Sequence, residues 1–155
     1  MTPATKLLKK QKIDFNVHEY HHDKSSESYG NEAAEKLNVS PESVFKTLVV
    51  SLDCRELAVA IIPVTEKLSM KLVAKVFSAK KAQMAKQEEV LRSTGYVLGG
   101  VSPLGQKKRL KTVINSSAFD LETMYVSAGK RGLEVSLSPL QLQTLLQAKS
   151  AIICQ

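Results

Sequence analysis

Two apolar runs, 45–52 (FKTLVVSL) and 56–62 (ELAVAII), constrain the fold of this 155-residue chain more than any other segment. Only Asp53-Cys54-Arg55 separates them. Both runs are rich in β-branched residues and the link is short, which predicts a β-hairpin. Side chains alternate along a strand, so Thr47 and Val49 fall on one face of the first run and Leu48 and Val50 on the other. A strand apolar on both faces needs cover on both sides, the arrangement of a layered α/β domain. Lys46 sits inside that run. A lysine on a doubly covered strand has no solvated face of its own. It either snorkels out from the strand end or lines a cavity, where it meets an anion or a carbonyl oxygen.

The other elements follow from local punctuation. Thr2-Pro3 is an N-cap followed by Pro at the first helical position, with Leu7 and Leu8 on a short stripe ending by Lys12. Ile13, Phe15 and Val17 alternate with polar residues and read as a half-buried strand ending near Tyr20. Residues 21–29 read as a polar loop. Asn31 is placed to cap a helix over 32–37, which Asn38 closes in the left-handed region. Ser40-Pro41 starts one further short turn. Ser69 caps a helix reaching about Phe77, an extended piece covers 81–84, and a helix over 86–92 closes at Gly95. Strands are expected over 110–115, 123–127 and 133–137, with Gly129-Lys130-Arg131-Gly132 turning the last two back to back. Ser138-Pro139, with Gln141 three residues after the serine, reads as a capping-box start for a helix through Gln147. The expectation is one α/β domain over residues 1–155, built on a mixed, largely antiparallel sheet.

Charge narrows the partner. With 22 Lys and Arg against 15 Asp and Glu, the formal charge is +7, which suits a polyanion. Four Tyr, four Phe and no Trp offer few stacking platforms, so a grip on phosphates and one terminal nucleotide fits better than reading a long single strand. No apolar run approaches the roughly 18 residues of a membrane span, and the N-terminus lacks a signal-peptide core, so a cytoplasmic protein is expected. Cys54 and Cys154 form neither a disulfide framework nor a metal spacing, and neither has a recognisable base nearby. His18, His21 and His22 cluster, but adjacent histidines on an extended segment point apart. No metal and no cofactor are expected. There is no G-x-S-x-G elbow and no Walker-type loop. An enzyme with this sequence has no obvious protein nucleophile.

The segment 99–111 (GGVSPLGQKKRLK) joins a glycine-rich loop to Lys107, Lys108, Arg109 and Lys111. Glycines let backbone approach a ligand, and the cations suit a run of phosphates. A surface turn followed by a solvated basic strand end accounts for the residues equally well. Tyr20 and Tyr29 are candidates for the walls of a Lys46 cavity.

Together these residues resemble the YbaK/EbsC family of free-standing Cys-tRNA(Pro) deacylases, related to the editing insertion of prolyl-tRNA synthetase. The likeness runs through TPATKLLKKQKIDF, NEAAEKL, VFKTLVV, STGYVLGGVSPLGQKK and SAGKRGLEVSLSP, in that order. It implies mixed strands curled into a partial barrel with helices packed outside. It implies that Lys46 is the hallmark residue, close to the scissile ester and the terminal adenosine phosphate. Tyr20, Tyr29 and Thr47 match pocket positions, as do Gly99, Gly100, Ser102 and Pro103 from the glycine loop. Ser127, Gly129 and Arg131 match a second glycine-containing segment on the same cleft. Tyr29 stands at an aromatic position that implies no hydroxyl contact, and Glu134 is left outside the site.

The reaction implied is removal of cysteine from mischarged proline tRNA, with prolyl-tRNA synthetase as a candidate partner. The substrate thiol attacks its own carbonyl, releasing the tRNA hydroxyl and a cyclic thioester that water opens. On this reading the backbone N–H groups of 99–102 serve the oxyanion, which gives Gly100 and Ser102 a catalytic part beside Lys46. Lys107, Lys108 and Arg109 hold the acceptor stem. Two other readings fit the same residues: a deacylase for alanine or another small amino acid, and a non-catalytic module that binds tRNA ends or nucleotides.

Overall fold

Thr2 starts the first helix as expected. Its side chain and that of Thr5 form a reciprocal capping box over α1 (Pro3–Lys10), whose inner face buries Ala4, Thr5 and Leu8. The structure, a computed structural model, describes residues 1–23 and 29–155, with side chains from residue 31 onward in the second stretch. The middle of the expected 21–29 loop therefore lies outside the described residues.

The chain continues through β1 (Phe15–Glu19), α2 (Tyr29–Leu37), a 3-10 turn (Pro41–Ser43), β2 (Phe45–Leu52) and β3 (Glu56–Pro63). Next come α3 (Met70–Val76), β4 (Ala82–Met84), α4 (Gln87–Thr94) and β5 (Lys111–Asn115). A second 3-10 turn (Ser116–Asp120), β6 (Met124–Lys130), β7 (Leu133–Leu137), α5 (Pro139–Leu146) and β8 (Lys149–Ala151) complete it.

The strands form two sheets, ordered β1-β7-β6 and β4-β2-β3-β5-β8. The first is antiparallel; the second carries two parallel pairs, β3 with β5 and β5 with β8. Among the described residues the sheets are joined by one parallel bridge, Val44 to Tyr125, and the structure curls without closing into a barrel.

The β2–β3 hairpin forms in the predicted register, from Phe45 opposite Pro63 to Leu52 opposite Glu56. Its alternation divides the core. Val59 and Ile61 join the first sheet, α1 and α5 in one cluster, while Ala58, Ala60 and Ile62 pack toward α3 in another. The five-stranded sheet is thus covered on both faces, as the apolar pattern requires.

Several details depart from expectation. β6 continues to Lys130 because a bulge shifts its register between Ser127 and Lys130, leaving only Arg131 and Gly132 as the turn. Gly129 sits in that bulge at φ +112°, and a Cβ there would lie 2.7 Å from the Tyr96 ring. α2 begins at Tyr29, ahead of Asn31. Ser138 makes no side-chain capping bond, so Pro139 alone pre-organises the start of α5. Val17, expected on the inner face of β1 with Phe15, is exposed. β8 was not legible as a strand; it forms by lying parallel to β5.

Candidate functional site

Lys46 and Thr47 lie where the edge of β2 loses its neighbour. β4 pairs only with residues Val50–Leu52, and the bridge to β6 involves only Val44. On the β3 side, Val64 N–H donates to the Val44 carbonyl; on the outer edge, Ala85 N–H donates to the Val49 carbonyl, each at about 3 Å. Strand hydrogen bonding alternates direction, so the Thr47 N–H and C=O also point to the outer edge, where no strand of the described residues lies opposite. The Thr47 hydroxyl is buried and has no hydrogen-bond partner among the described residues. This gap is the floor of a cavity of about 300 Å³.

The walls come from four places. Tyr20 stands at the end of β1, and Val64 follows β3. Leu98, Gly99 and Val101 come from the glycine loop, and Ser127, Lys130, Arg131 and Glu134 from the β6–β7 hairpin. The loop and the hairpin are fastened together. Arg131 Nη2 donates to the Leu98 carbonyl at 3.4 Å, and Gly100 lies flat on the hairpin turn, where a Cβ would stand 3.0 Å from the Lys130 Cα. Ser127 Oγ accepts the Gly129 N–H at 3.2 Å, which stabilises the bulge below the cavity.

Glu134 is the group that sequence reasoning left out. It is 7 % exposed and lines the cavity, on a strand whose other residues are all buried. No hydrogen bond or ion pair reaches it from the described residues. Burial pushes its carboxyl up to about 8, so it is largely uncharged at neutral pH. Lys46 stands out in sequence on a strand apolar on both faces, whereas Glu134 shares the polar face of an alternating strand with Ser136, and only the fold shows that this face is covered. Tyr20 is raised to about 12 by burial and by Glu134, so its phenol keeps its proton.

Lys46 is half-buried and makes no ion pair among the described residues. The Cys154 thiol is raised to about 11 by burial and Glu66, against an opposing pull from Lys46, so it is not a thiolate at neutral pH. Cys54 is exposed on the β2–β3 hairpin loop. Next to the cavity, His22 Nδ1 lies 2.7 Å from Glu32 Oε1, and Asp23 N–H donates to Glu32 Oε2 at 2.8 Å. Although burial opposes it, these contacts and Lys36 hold the Glu32 carboxyl below its usual range. They fasten the chain after Tyr20 onto α2.

Of the residues expected at the site, Tyr20, Lys46, Thr47, Gly99, Ser127 and Arg131 share this cavity. The side chain of Tyr29 lies outside the described residues. Gly100 and Gly129 are placed behind the lining, where they let backbone and ring pack closely, and the Gly100 N–H is already donated to the Val97 carbonyl. Ser102 is fully buried, its hydroxyl accepting the Leu104 N–H at 3.2 Å. Pro103 faces a separate concavity, shared with Leu7, Leu145, Lys107, Lys108 and Arg109. The three basic residues are exposed there, and none of them lines the Lys46 cavity. The cations that do are Lys46, Lys130 and Arg131. Among the described residues there is no cluster of metal-ligating side chains and no helix long and apolar enough to cross a membrane.

The chain is 32 % identical over 152 residues to an Enterococcus faecalis protein named "Putative Cys-tRNA(Pro)/Cys-tRNA(Cys) deacylase EbsC", covering 98 % of this chain and 92 % of that one. It is 27 % identical over 111 residues to the uncharacterized protein YwhH of Bacillus subtilis, covering 72 % of this chain and 70 % of that one. In fold it matches a structure described as a "putative trans-editing enzyme for prolyl tRNA synthetase", with a TM-score of 0.88 at 19 % identity over 99 % of this chain and 95 % of that one. A family model for the aminoacyl-tRNA editing domain matches residues 24–145. The chain therefore belongs to the aminoacyl-tRNA editing domain family.

Proposed function

We propose that this protein acts in trans on Cys-tRNA(Pro), removing cysteine by a reaction in which the substrate supplies the nucleophile. The observation that carries this reading is a cavity with positioning groups and no activated protein nucleophile among the described residues. The Ser127 hydroxyl is engaged by the bulge, the Tyr20 phenol stays protonated, and Cys154 stays a thiol rather than a thiolate at neutral pH. A small-molecule site of about 300 Å³ lies at the lower end of the usual range, which suits one aminoacyl group at the end of a nucleotide.

In the proposed chemistry the cysteine sulfur forms a bond to its own carbonyl carbon, and the ester C–O bond breaks. The thiol proton ends on the ribose hydroxyl that leaves. Water then opens the four-membered thioester to free cysteine. The outward Thr47 N–H and C=O are suited to the ester carbonyl and the α-amino group, and Lys46 to the terminal phosphate or the carbonyl. Glu134, neutral by itself, is suited to pair with the aminoacyl ammonium, its proton passing to solvent. Holding sulfur and carbonyl within attack distance supplies the rate enhancement.

This reading predicts release of cysteine from Cys-tRNA(Pro) by the pure protein, with Pro-tRNA(Pro) spared. Cleavage of Ala-tRNA(Pro) at the same rate would replace the thiol-assisted route by one for small amino acids in general. Binding of all three without turnover would make the protein a non-catalytic module. A loss of turnover on blocking the substrate sulfur separates the first outcome from the second. Adding prolyl-tRNA synthetase to the assay tests whether it is a partner.

A further inference from the structure

Leu98, Lys130 and Arg131 line the Lys46 cavity and also form one wall of a second, open groove. The opposite wall is the first part of α4, with Gln87, Glu88 and Leu91, and Val97 lies at the base of the glycine loop. Three of these side chains are large, apolar and exposed: Leu91 at 49 %, Val97 at 61 % and Leu98 at 42 %. Its apolar side chains, bordering cations and continuity with the cavity suit a ligand that carries apolar faces and negative charge together.

Resting on the deacylase reading, we propose that this groove seats the unpaired nucleotides that precede the esterified one at the tRNA 3′ end. Base faces lie on Leu91 and Val97, and phosphates lie near Lys130 and Arg131. Unstacked bases present apolar faces between charged linkages, which is the pattern the groove complements; a duplex hides those faces. The course of the strand also fits. α4 has eight residues and is about 12 Å long. Its first turns line the groove, and its last turn receives the Lys107 and Lys108 N–H groups at the Thr94 and Ser93 carbonyls. A strand leaving the cavity along this groove is led toward the basic run. Glu88 opposes phosphate in the groove, which gives the proposal a substitution with a predicted gain.

The test is the affinity of an unacylated, labelled single-stranded oligoribonucleotide ending in CCA, compared with a blunt RNA duplex of the same sequence. The single strand should bind more tightly. Val97→Asp and Leu91→Asp should each weaken it fivefold or more, and Glu88→Gln should tighten it about twofold. Lys130→Ala should reduce the slope of log affinity against log salt by roughly 0.7. No preference for the single strand, or wild-type affinity in Val97→Asp and Glu88→Gln, overturns the proposal. Thermal melting checks that the variants fold. Glu88 is exposed, so unchanged affinity in Glu88→Gln counts against the groove even where an apolar variant unfolds. The ligand is unacylated, so the two readings fail separately. A protein that binds as described but cleaves no Cys-tRNA(Pro) keeps the groove and loses the deacylase. Deacylation unaffected by these variants does the reverse.

Discussion

Replacing Glu134 by glutamine should make the protein more stable at alkaline pH and leave it unchanged near pH 4. The carboxyl titrates near 8 in the folded chain against 4.5 for an ordinary glutamate, with burial as the cause. A raised carboxyl pKa means the folded state favours the protonated form. Its stabilising effect is fully present below the unfolded pKa and is lost as pH rises toward 8. Each pH unit in that window costs about 1.4 kcal/mol, so wild type should lose roughly 3–4 kcal/mol between pH 5 and pH 8 through this group. The glutamine side chain keeps the shape and cannot ionise, so the variant's curve lacks that loss. At 7 % exposure, solvent screening leaves most of the effect in place. Urea denaturation of both proteins at several pH values measures it, because the difference between the curves isolates Glu134 from the other titrating groups. Parallel curves across pH 5–8 would refute the reasoning and place an ionised, solvated carboxylate at the cavity.

Three further outcomes are expected. Lys46→Ala should abolish deacylation while the melting temperature changes little, since the side chain is half-buried and makes no ion pair among the described residues; wild-type turnover in this variant removes Lys46 from the mechanism. Cys54→Ser and Cys154→Ser should each stay within a few-fold of wild-type kcat/KM, because neither thiol is activated, and a loss of several orders of magnitude in either would restore a protein nucleophile. Neutralising Lys107, Lys108 and Arg109 together should weaken every tRNA alike and flatten the salt dependence by roughly 0.9 per lost contact, with little change in kcat. An unchanged slope places the acceptor stem elsewhere.

The elements that were legible in sequence are those set by local chemistry. The β2–β3 hairpin, the Thr2 and Ser69 caps and the left-handed stops at Asn38 and Gly95 follow from residues within a few positions of one another. What was missed depends on distant neighbours. Lys149-Ser150-Ala151 has no β-rich signature and becomes a strand because β5 offers an edge. The bulge position needs a glycine because Tyr96, distant in sequence, occupies the space a Cβ would need. The same division holds in the cavity. Lys46 stood out against its own strand, whereas Glu134 shares a polar face with Ser136 in an alternating strand, and its burial is decided by what packs over that face. That Ser102 is sealed in the loop, while Leu98 and Lys130 reach the cavity, is decided by how two loops fold onto each other.

The interruption along β2 also bears on how the protein avoids its own copies. Unpaired strand edges invite other strands, and long ones seed aggregation. Here the exposed stretch is short, flanked by β4 on one side and by the Val44–Tyr125 bridge on the other, and it lies at the floor of a cavity. An incoming chain cannot extend a ladder from so short a stretch. The fold leaves backbone donors and acceptors accessible to a small molecule while denying them to a neighbouring polypeptide.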